Sequence, residues 1–272
     1  MSSSSSLYRY IFHGTRLNVT PEERKSLVAI GLDNTHAWSS FAEGQILSRG
    51  TTTCLKVTLP HDGDVIYFKR YKYTKNPWEF FLRRSKAANE AINYQRFKKI
   101  GIPTLDIIAL YEQRSLGLLH LACIITKELK NTTQLNHFYT DILLKMPKDE
   151  QQKVFKELKE KLFQQIRLAH HEGVFHLDLK WRNIMVQQEG DQYTPIWIDC
   201  PRGVHRRFFN YSLKVADLSG LARKALLFFS SQQLYRMLYL YLGENATKKE
   251  ARQLFYDIKK HLERRPPKVW RN

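Results

Sequence analysis

The sequence predicts an α+β fold in two lobes, and three observations carry that prediction. Between residues 17 and 129 the apolar residues recur mostly at strand spacing, interrupted by one helix. From residue 130 to 272 they recur mostly at helical spacing, with one short hairpin among the helices. Where the two patterns meet, the polar run Lys130-Asn-Thr-Thr-Gln134 marks a shift in composition. A small antiparallel β lobe with one helix over residues 17–129, then a larger mostly helical lobe over 130–272, follows from that order. A chain of 272 residues has enough core for one such two-lobed domain. Its 43% hydrophobic and 26% charged composition excludes disordered, collagenous and coiled-coil chains.

Residues 1–16 open with Met-Ser-Ser-Ser-Ser-Ser and read as a flexible tail without the apolar core of a secretory signal. Gln45 to Leu47, Thr52 to Leu59 and Val65 to Tyr71 are β-favouring, and Pro60-His-Asp-Gly63-Asp turns the last two into a hairpin. Ser85 to Lys99 reads as a helix that stops at Gly101-Ile-Pro103. Strand-like runs follow at Thr104 to Tyr111 and Leu118 to Thr126. Pro147 to Glu172 carries Val154, Leu158, Leu162, Ile166 and Ala169 on one helical face, and Gly173 closes it. Ile184 to Val186 and Pro195 to Ile198 flank Glu189-Gly190-Asp191 as a hairpin. Asp217 to Phe229, Ser231 to Leu242 and Thr247 to Arg265 complete the chain as helices, the last opening on the capping box Thr247-Lys-Lys-Glu250. There are no internal repeats.

The formal net charge of +18 implies polyanionic company: nucleic acid, an anionic membrane surface, or a phosphorylated or carboxylated substrate. Cys54, Cys123 and Cys200 are an odd, scattered set without C-x-x-C pairing, which argues against a disulfide framework or zinc site and fits a reducing cytoplasm. No apolar run approaches the ~18–20 residues of a membrane span, so membrane contact is expected to be peripheral.

The chemistry concentrates in His176-Leu-Asp178-Leu-Lys180-Trp-Arg-Asn183. This has the form H-x-D-x-x-x-x-N of the catalytic loop in protein-kinase-like phosphotransferases. An aspartate there accepts the proton of an attacking hydroxyl, and an asparagine five residues later reaches a magnesium ion on the ATP phosphates. Asp178 is therefore the candidate base, Asn183 a candidate magnesium ligand, and His176 a structural residue packed beneath the loop. The bland alternative is a polar loop in which Asp and Asn cap their neighbours. Asp199 ends the buried-type strand Pro195 to Ile198 and is a second candidate magnesium ligand, with a turn-forming Asp before Pro201 as the alternative. In Val65-Ile-Tyr-Phe-Lys69-Arg-Tyr71, alternation sets Ile66, Phe68 and Arg70 on one face and Lys69 on the other. Lys69 is thus a candidate for the α- and β-phosphates of ATP, oriented by Glu90, with Arg70 and Lys72 as competitors. A Gly-rich phosphate loop of the form G-x-G-x-x-G is missing. Arg49 and Gly50, in Ser48-Arg49-Gly50-Thr51-Thr52-Thr53, are the candidates for that task, and a plain hairpin turn is the alternative. Asp217 reads as opening a helix and accepting hydrogen bonds from the catalytic-loop backbone, or as a simple N-terminal helix charge.

Between Asp199 and Asp217 lie Arg202, His205, Arg206, Arg207 and Lys214. Guanidinium groups pair bidentately with carboxylate and phosphate, so Arg202, Arg206 and Arg207 are candidate contacts to a small or amphiphilic anionic acceptor; a solvated basic loop is the alternative. Tyr71 to Lys86 interleaves Tyr71, Tyr73, Trp78, Phe80 and Phe81 with Lys72, Lys75, Arg83 and Arg84, a mixture that suits an anionic lipid interface, nucleic acid, or a helix burying its aromatics. The basic stretch Lys259 to Arg271 is similar.

Together Lys69, Glu90, the His176 to Asn183 loop, Asp217-Leu-x-x-Leu221 and especially Ile198-Asp199-x-x-Arg202-Gly203, standing where protein kinases have Asp-Phe-Gly, resemble the lipopolysaccharide kinase (Kdo/WaaP) family over residues 40–225. The resemblance implies a two-lobed protein-kinase-like fold and transfer of the ATP γ-phosphate, with Mg2+, to a Kdo or heptose hydroxyl of the lipopolysaccharide inner core. It implies the cytoplasmic face of the bacterial inner membrane as the place of action, peripheral contact with an anionic membrane, and an anionic glycolipid rather than nucleic acid as partner. Lys180, in Asp178-Leu-Lys180, departs toward protein serine/threonine kinases, where that lysine steadies the transferred phosphate. A protein or other small-molecule acceptor, or a non-catalytic basic binding protein, is the rival reading.

Overall fold

In the computed structural model the chain is described over residues 15–19, 23–32, 37–50, 52–60, 63–73, 77–81 and 83–264. The serine-rich tail to residue 14, Thr51 of the first hairpin, His61 and Asp62 of the next turn, Lys75, and residues 265–272 of the basic C-terminal stretch lie outside the described residues. The chain divides into two compact units, residues 1–92 with 105–129 and residues 93–104 with 130–272.

The first unit is built on a six-stranded antiparallel sheet ordered β1-β5-β6-β4-β3-β2. Its strands are β1 (Thr15–Val19), β2 (Gln45–Ser48), β3 (Thr52–Thr58), β4 (Val65–Lys72), β5 (Ile107–Ser115) and β6 (Leu118–Lys127). Strand β1 takes in Thr15 and Arg16, where the sequence predicts tail; they pair with Gln113 and Glu112 of β5. So short a strand is fixed by the ladder its neighbour offers rather than by its own pattern. Two short helices absent from the sequence expectation, α1 (Arg24–Ala29) and α2 (Ala37–Ser40), precede β2. Leu27, Leu32, Trp38 and Phe41 from this region are buried against Leu55, Val57, Ile66, Phe68 and Tyr111 of the sheet. Trp38 stacks on Tyr111 with ring centroids 5.1 Å apart. A one-turn helix such as α2 is too short to hold itself. Arg70, buried on the same face as Ile66 and Phe68, donates to the carbonyls of Ser39 (3.1 Å) and Phe41 (2.8 Å) at its end.

Helix α3 (Lys86–Lys99) starts in the first unit, and from Asn93 its residues group with the second. The mixed segment before it resolves by position. Tyr71 and Tyr73 are buried and Phe80 packs edge-on against Tyr73 at 4.6 Å, while Trp78 is exposed and touches Phe81.

The second unit opens with the short strand β7 (Thr132–Gln134) and short helical turns to Lys145, then the long helix α4 (Lys148–His171). Val154, Leu158, Leu162, Ile166 and Ala169 are all buried on one face of α4. Strand β8 (Val174–Phe175) leads into the catalytic loop, and β9 (Ile184–Glu189) and β10 (Gln192–Trp197) follow as the hairpin. A second short strand, β11 (Val204–His205), pairs antiparallel with β8. Helices α5 (Tyr211–Ala225), α6 (Ser231–Leu242) and α7 (Lys248–Arg264) complete the unit. Capping boxes start α6, through Ser230 and Gln233, and α7, through Thr247 and Glu250. Helix α5 begins at Tyr211, so Asp217 lies in its second turn and does not open it. An aspartate favours a first turn when its partners are the helix's own N–H groups; Asp217 takes its partners from elsewhere. Among the described residues no helix is long and apolar enough to cross a membrane.

Candidate active site

In the first unit, strand alternation turns Lys69 and Tyr71 away from the Trp38 core. Lys69 Nζ lies 3.1 Å from both Glu90 oxygens, and Tyr71 Oη donates to Glu90 Oε2 at 2.6 Å. Glu90 is almost fully buried, and the lysine and the phenol help keep its carboxylate satisfied. Arg70, the sequence competitor of Lys69, is committed to the α2 carbonyls on the opposite face. Arg49 and Gly50 are exposed at the β2–β3 turn. Among the described residues nothing lies within 4 Å of the position a Gly50 Cβ would take. The glycine that the backbone demands in this hairpin is Gly44, at φ +99 with Lys56 O 2.3 Å from its would-be Cβ.

In the second unit the catalytic loop alternates buried Leu179 and Trp181 with partly exposed Asp178 and Lys180. Lys180 Nζ pairs with Asp178 Oδ1, and Asn183 Nδ2 donates to Asp178 Oδ2 at 3.1 Å and to its carbonyl at 2.8 Å. With its amide nitrogen so used, Asn183 leaves Oδ1, the atom a cation takes, without a hydrogen bond among the described residues. Leu177 and Asp199 both adopt left-handed backbone, at φ 57. Non-glycine residues held this way are costly, persist only where the surroundings over-determine them, and cluster at functional sites.

Those surroundings are specific. His176 is fully buried, with Nε2 donating to Ile198 O at 2.9 Å and Nδ1 accepting from Asp178 N at 3.3 Å, so it ties the loop to the strand end that carries Asp199. Asp217 accepts from the backbone N–H groups of His176 (2.9 Å) and Leu177 (2.6 Å). One turn on, a Cβ at Gly220 would meet Leu179 O at 2.9 Å, and Leu221 O accepts from Trp181 Nε1 at 3.0 Å. Residues 217, 220 and 221 share one face of α5, and the loop rests on it.

Several members of this site carry no motif. His170 Nε2 faces Asp217 Oδ2 at 3.2 Å, and its Nδ1 faces Tyr241 Oη at 3.0 Å. Burial, and then the charge of Asp217, push the Tyr241 phenol up, so it keeps its proton in this chain of bonds. On α3, Asn93 donates to the carbonyls of Cys200 (2.9 Å) and Gly203 (3.0 Å), and Tyr94 Oη accepts from Asp199 N at 3.0 Å. A Cβ on Gly203 would come within 2.6 Å of Asn93 Nδ2, which explains the glycine in Asp199-Cys-Pro-Arg202-Gly203. The one signal for Asn93 in the sequence is its place a turn after Glu90 on the same helix.

The model of the lipopolysaccharide kinase (Kdo/WaaP) family matches residues 47–241, a span holding Lys69, Glu90, the catalytic loop, Asp199 and Asp217. The chain belongs to the lipopolysaccharide kinase (Kdo/WaaP) family. A solved structure, WaaP in complex with acyl carrier protein, shares its protein-kinase-like fold at a TM-score of 0.68 and 20% identity, covering 92% of this chain and 98% of that one. No curated protein matches the sequence. In this lipopolysaccharide kinase Arg202, Arg206 and Arg207 are all exposed, and their guanidinium groups form no ion pair among the described residues.

Proposed function

We propose that this kinase transfers the γ-phosphoryl group of ATP to a Kdo or heptose hydroxyl of the lipopolysaccharide inner core, at the cytoplasmic face of the inner membrane. The observation that carries the reading is the Asp178 carboxylate, held between Lys180 and Asn183 on a loop fastened from below by Asp217. Bound ATP supplies the phosphoryl group, and magnesium neutralises its charge. The donor set fits such an ion: one carboxylate, Asp199, and one amide oxygen, Asn183 Oδ1, are what magnesium takes from protein when phosphates and water fill the rest. Lys69, kept in place by Glu90 and Tyr71, holds the α- and β-phosphates, with Arg49 and Gly50 covering them. Asp178 accepts the proton of the acceptor hydroxyl, and Lys180 steadies the group in transit. Arg202, Arg206 and Arg207 pair with carboxylates and phosphates on the acceptor. The net charge of +18 draws the enzyme to an anionic leaflet.

Purified enzyme given labelled ATP and, separately, lipopolysaccharide core, peptides and small alcohols tests this directly. Label is expected in the core sugars, with mass and linkage locating the hydroxyl; label in protein alone overturns the reading and makes Lys180 the decisive residue.

WaaP was solved with acyl carrier protein, and one feature here favours the same partner: the second unit carries a partly open apolar pocket of about 100 Å³ lined by Leu135, Phe163, Leu218, Met237 and Phe255 among others. A cavity of that lining suits part of an acyl chain. Co-purification with acylated, but not unacylated, acyl carrier protein is the expected result.

A further inference from the structure

Phe208 and Phe209 are 75% and 95% exposed. Phe209 also sits at φ 52, a left-handed conformation that bulky side chains avoid and that Gly or Asn adopts readily. Neither core packing nor backbone preference accounts for an aromatic residue here. The turn is nonetheless firmly built. Asn210 Nδ2 donates to the carbonyls of Arg206 (3.3 Å) and Arg207 (3.2 Å), and Arg206 N donates to Gly173 O at 2.7 Å. The segment from Asp199 to Asp217 holds Arg202, Arg206, Arg207 and Lys214 and no acidic residue between its ends.

We infer that Phe208 and Phe209, flanked by Arg206 and Arg207, form a tip that inserts into an anionic lipid surface. The inference rests on the proposed membrane-borne acceptor and names the segment that meets the membrane. Two exposed rings are far smaller than the ~800 Å² per partner of a stable protein interface. They are, with neighbouring guanidinium groups, what peripheral attachment to anionic lipid requires. The position is functional too. Just before the tip, β11 pairs with β8, and β8 runs directly into His176, so the inserted rings set the height of Asp178 relative to the headgroups.

The test is co-sedimentation of the full chain with vesicles of phosphatidylcholine alone or mixed with phosphatidylglycerol, for the wild type and a Phe208→Ser/Phe209→Ser variant. The wild type is expected to partition onto the mixed vesicles at low salt. The variant is expected to lose roughly tenfold or more of that partition, because each Phe loses its apolar insertion. Phe209→Gly, which relieves the left-handed backbone and so keeps the fold, is expected to weaken partition with no fall in melting temperature. A Phe209→Trp variant should show blue-shifted emission on mixed vesicles. Phosphorylation of delipidated, soluble core by the double variant should equal that of wild type. Variants that partition like the wild type overturn the tip, whatever the kinase assay gives. Loss of binding to acyl carrier protein with vesicle partition unchanged overturns it in favour of a protein partner. Loss of partition with no core phosphorylation by either protein upholds the tip while removing the acceptor reading.

Discussion

A carboxylate that takes a hydroxyl proton during phosphoryl transfer has to be both ionised and aimed. Asp178 meets the second need through two side chains of its own loop, Lys180 and Asn183, and through the left-handed Leu177 before it. Asp178→Asn keeps the size and loses the proposed base. It is expected to lower kcat on core sugar by roughly 10²–10⁴-fold with an unchanged melting temperature, read by single-turnover phosphorylation beside a thermal melt; a smaller loss removes Asp178 from the mechanism. The spacing of this loop was legible because the motif itself encodes the geometry. Asn93, Tyr94, His170 and Tyr241 were not, since nothing beside them in the sequence says what they touch. Asn93 meets Cys200 and Gly203 across 107 and 110 residues of chain.

At the scale of elements, α5 is the support on which the loop depends. Asp217→Ala leaves the buried N–H groups of His176 and Leu177 and the His170 ring without their acceptor, and is expected to destabilise the protein by about 3–5 kcal/mol. A denaturant midpoint measures it, and Asp217→Asn, which keeps one acceptor oxygen, should lose less. Helix α5 is also joined to α7, where Tyr211 Oη donates to Asp257 Oδ2 at 2.7 Å. Burial and this bond push the Tyr211 phenol up to about 12. Its protonated form is the one the fold favours, so its stabilisation is complete below the unfolded value near 10 and is lost as pH rises toward 12. An alkaline series of melts should show that step, and Tyr211→Phe should flatten it. Helices α4, α6 and α7 were legible from apolar spacing and capping boxes. Helices α1 and α2 were not: at six and four residues they are shorter than a helical period can reveal, and Arg70 and the sheet core hold them.

For the molecule as a whole, the +18 charge acts through the field it sets up rather than through any one pair. Screening therefore reports on it. Raising salt from a Debye length of ~10 Å to ~3 Å is expected to lower kcat/KM on vesicle-borne lipopolysaccharide far more than on a soluble, delipidated core. Parallel salt curves for the two acceptors would show that the charge does not steer the enzyme to a surface. The cationic composition was plain in the sequence; that Arg202, Arg206 and Arg207 are exposed, with no ion pair among the described residues, and that Phe208 and Phe209 are exposed too, was not.

By itself the sequence determined the strand-then-helix order, the Asp178 loop, the Lys69 face of β4 and the family, because periodicity and motif spacing are local properties of the chain. The tertiary structure decided what surrounds them: that Asp217 serves the loop from inside a helix, that Asn93 and Tyr94 bond to the segment around Asp199, that Gly44 rather than Gly50 is forced by the first hairpin, and that Phe208 and Phe209 face outward. Each of those depends on which distant backbone groups need a partner and which side chains find none, and only folding brings those groups within reach.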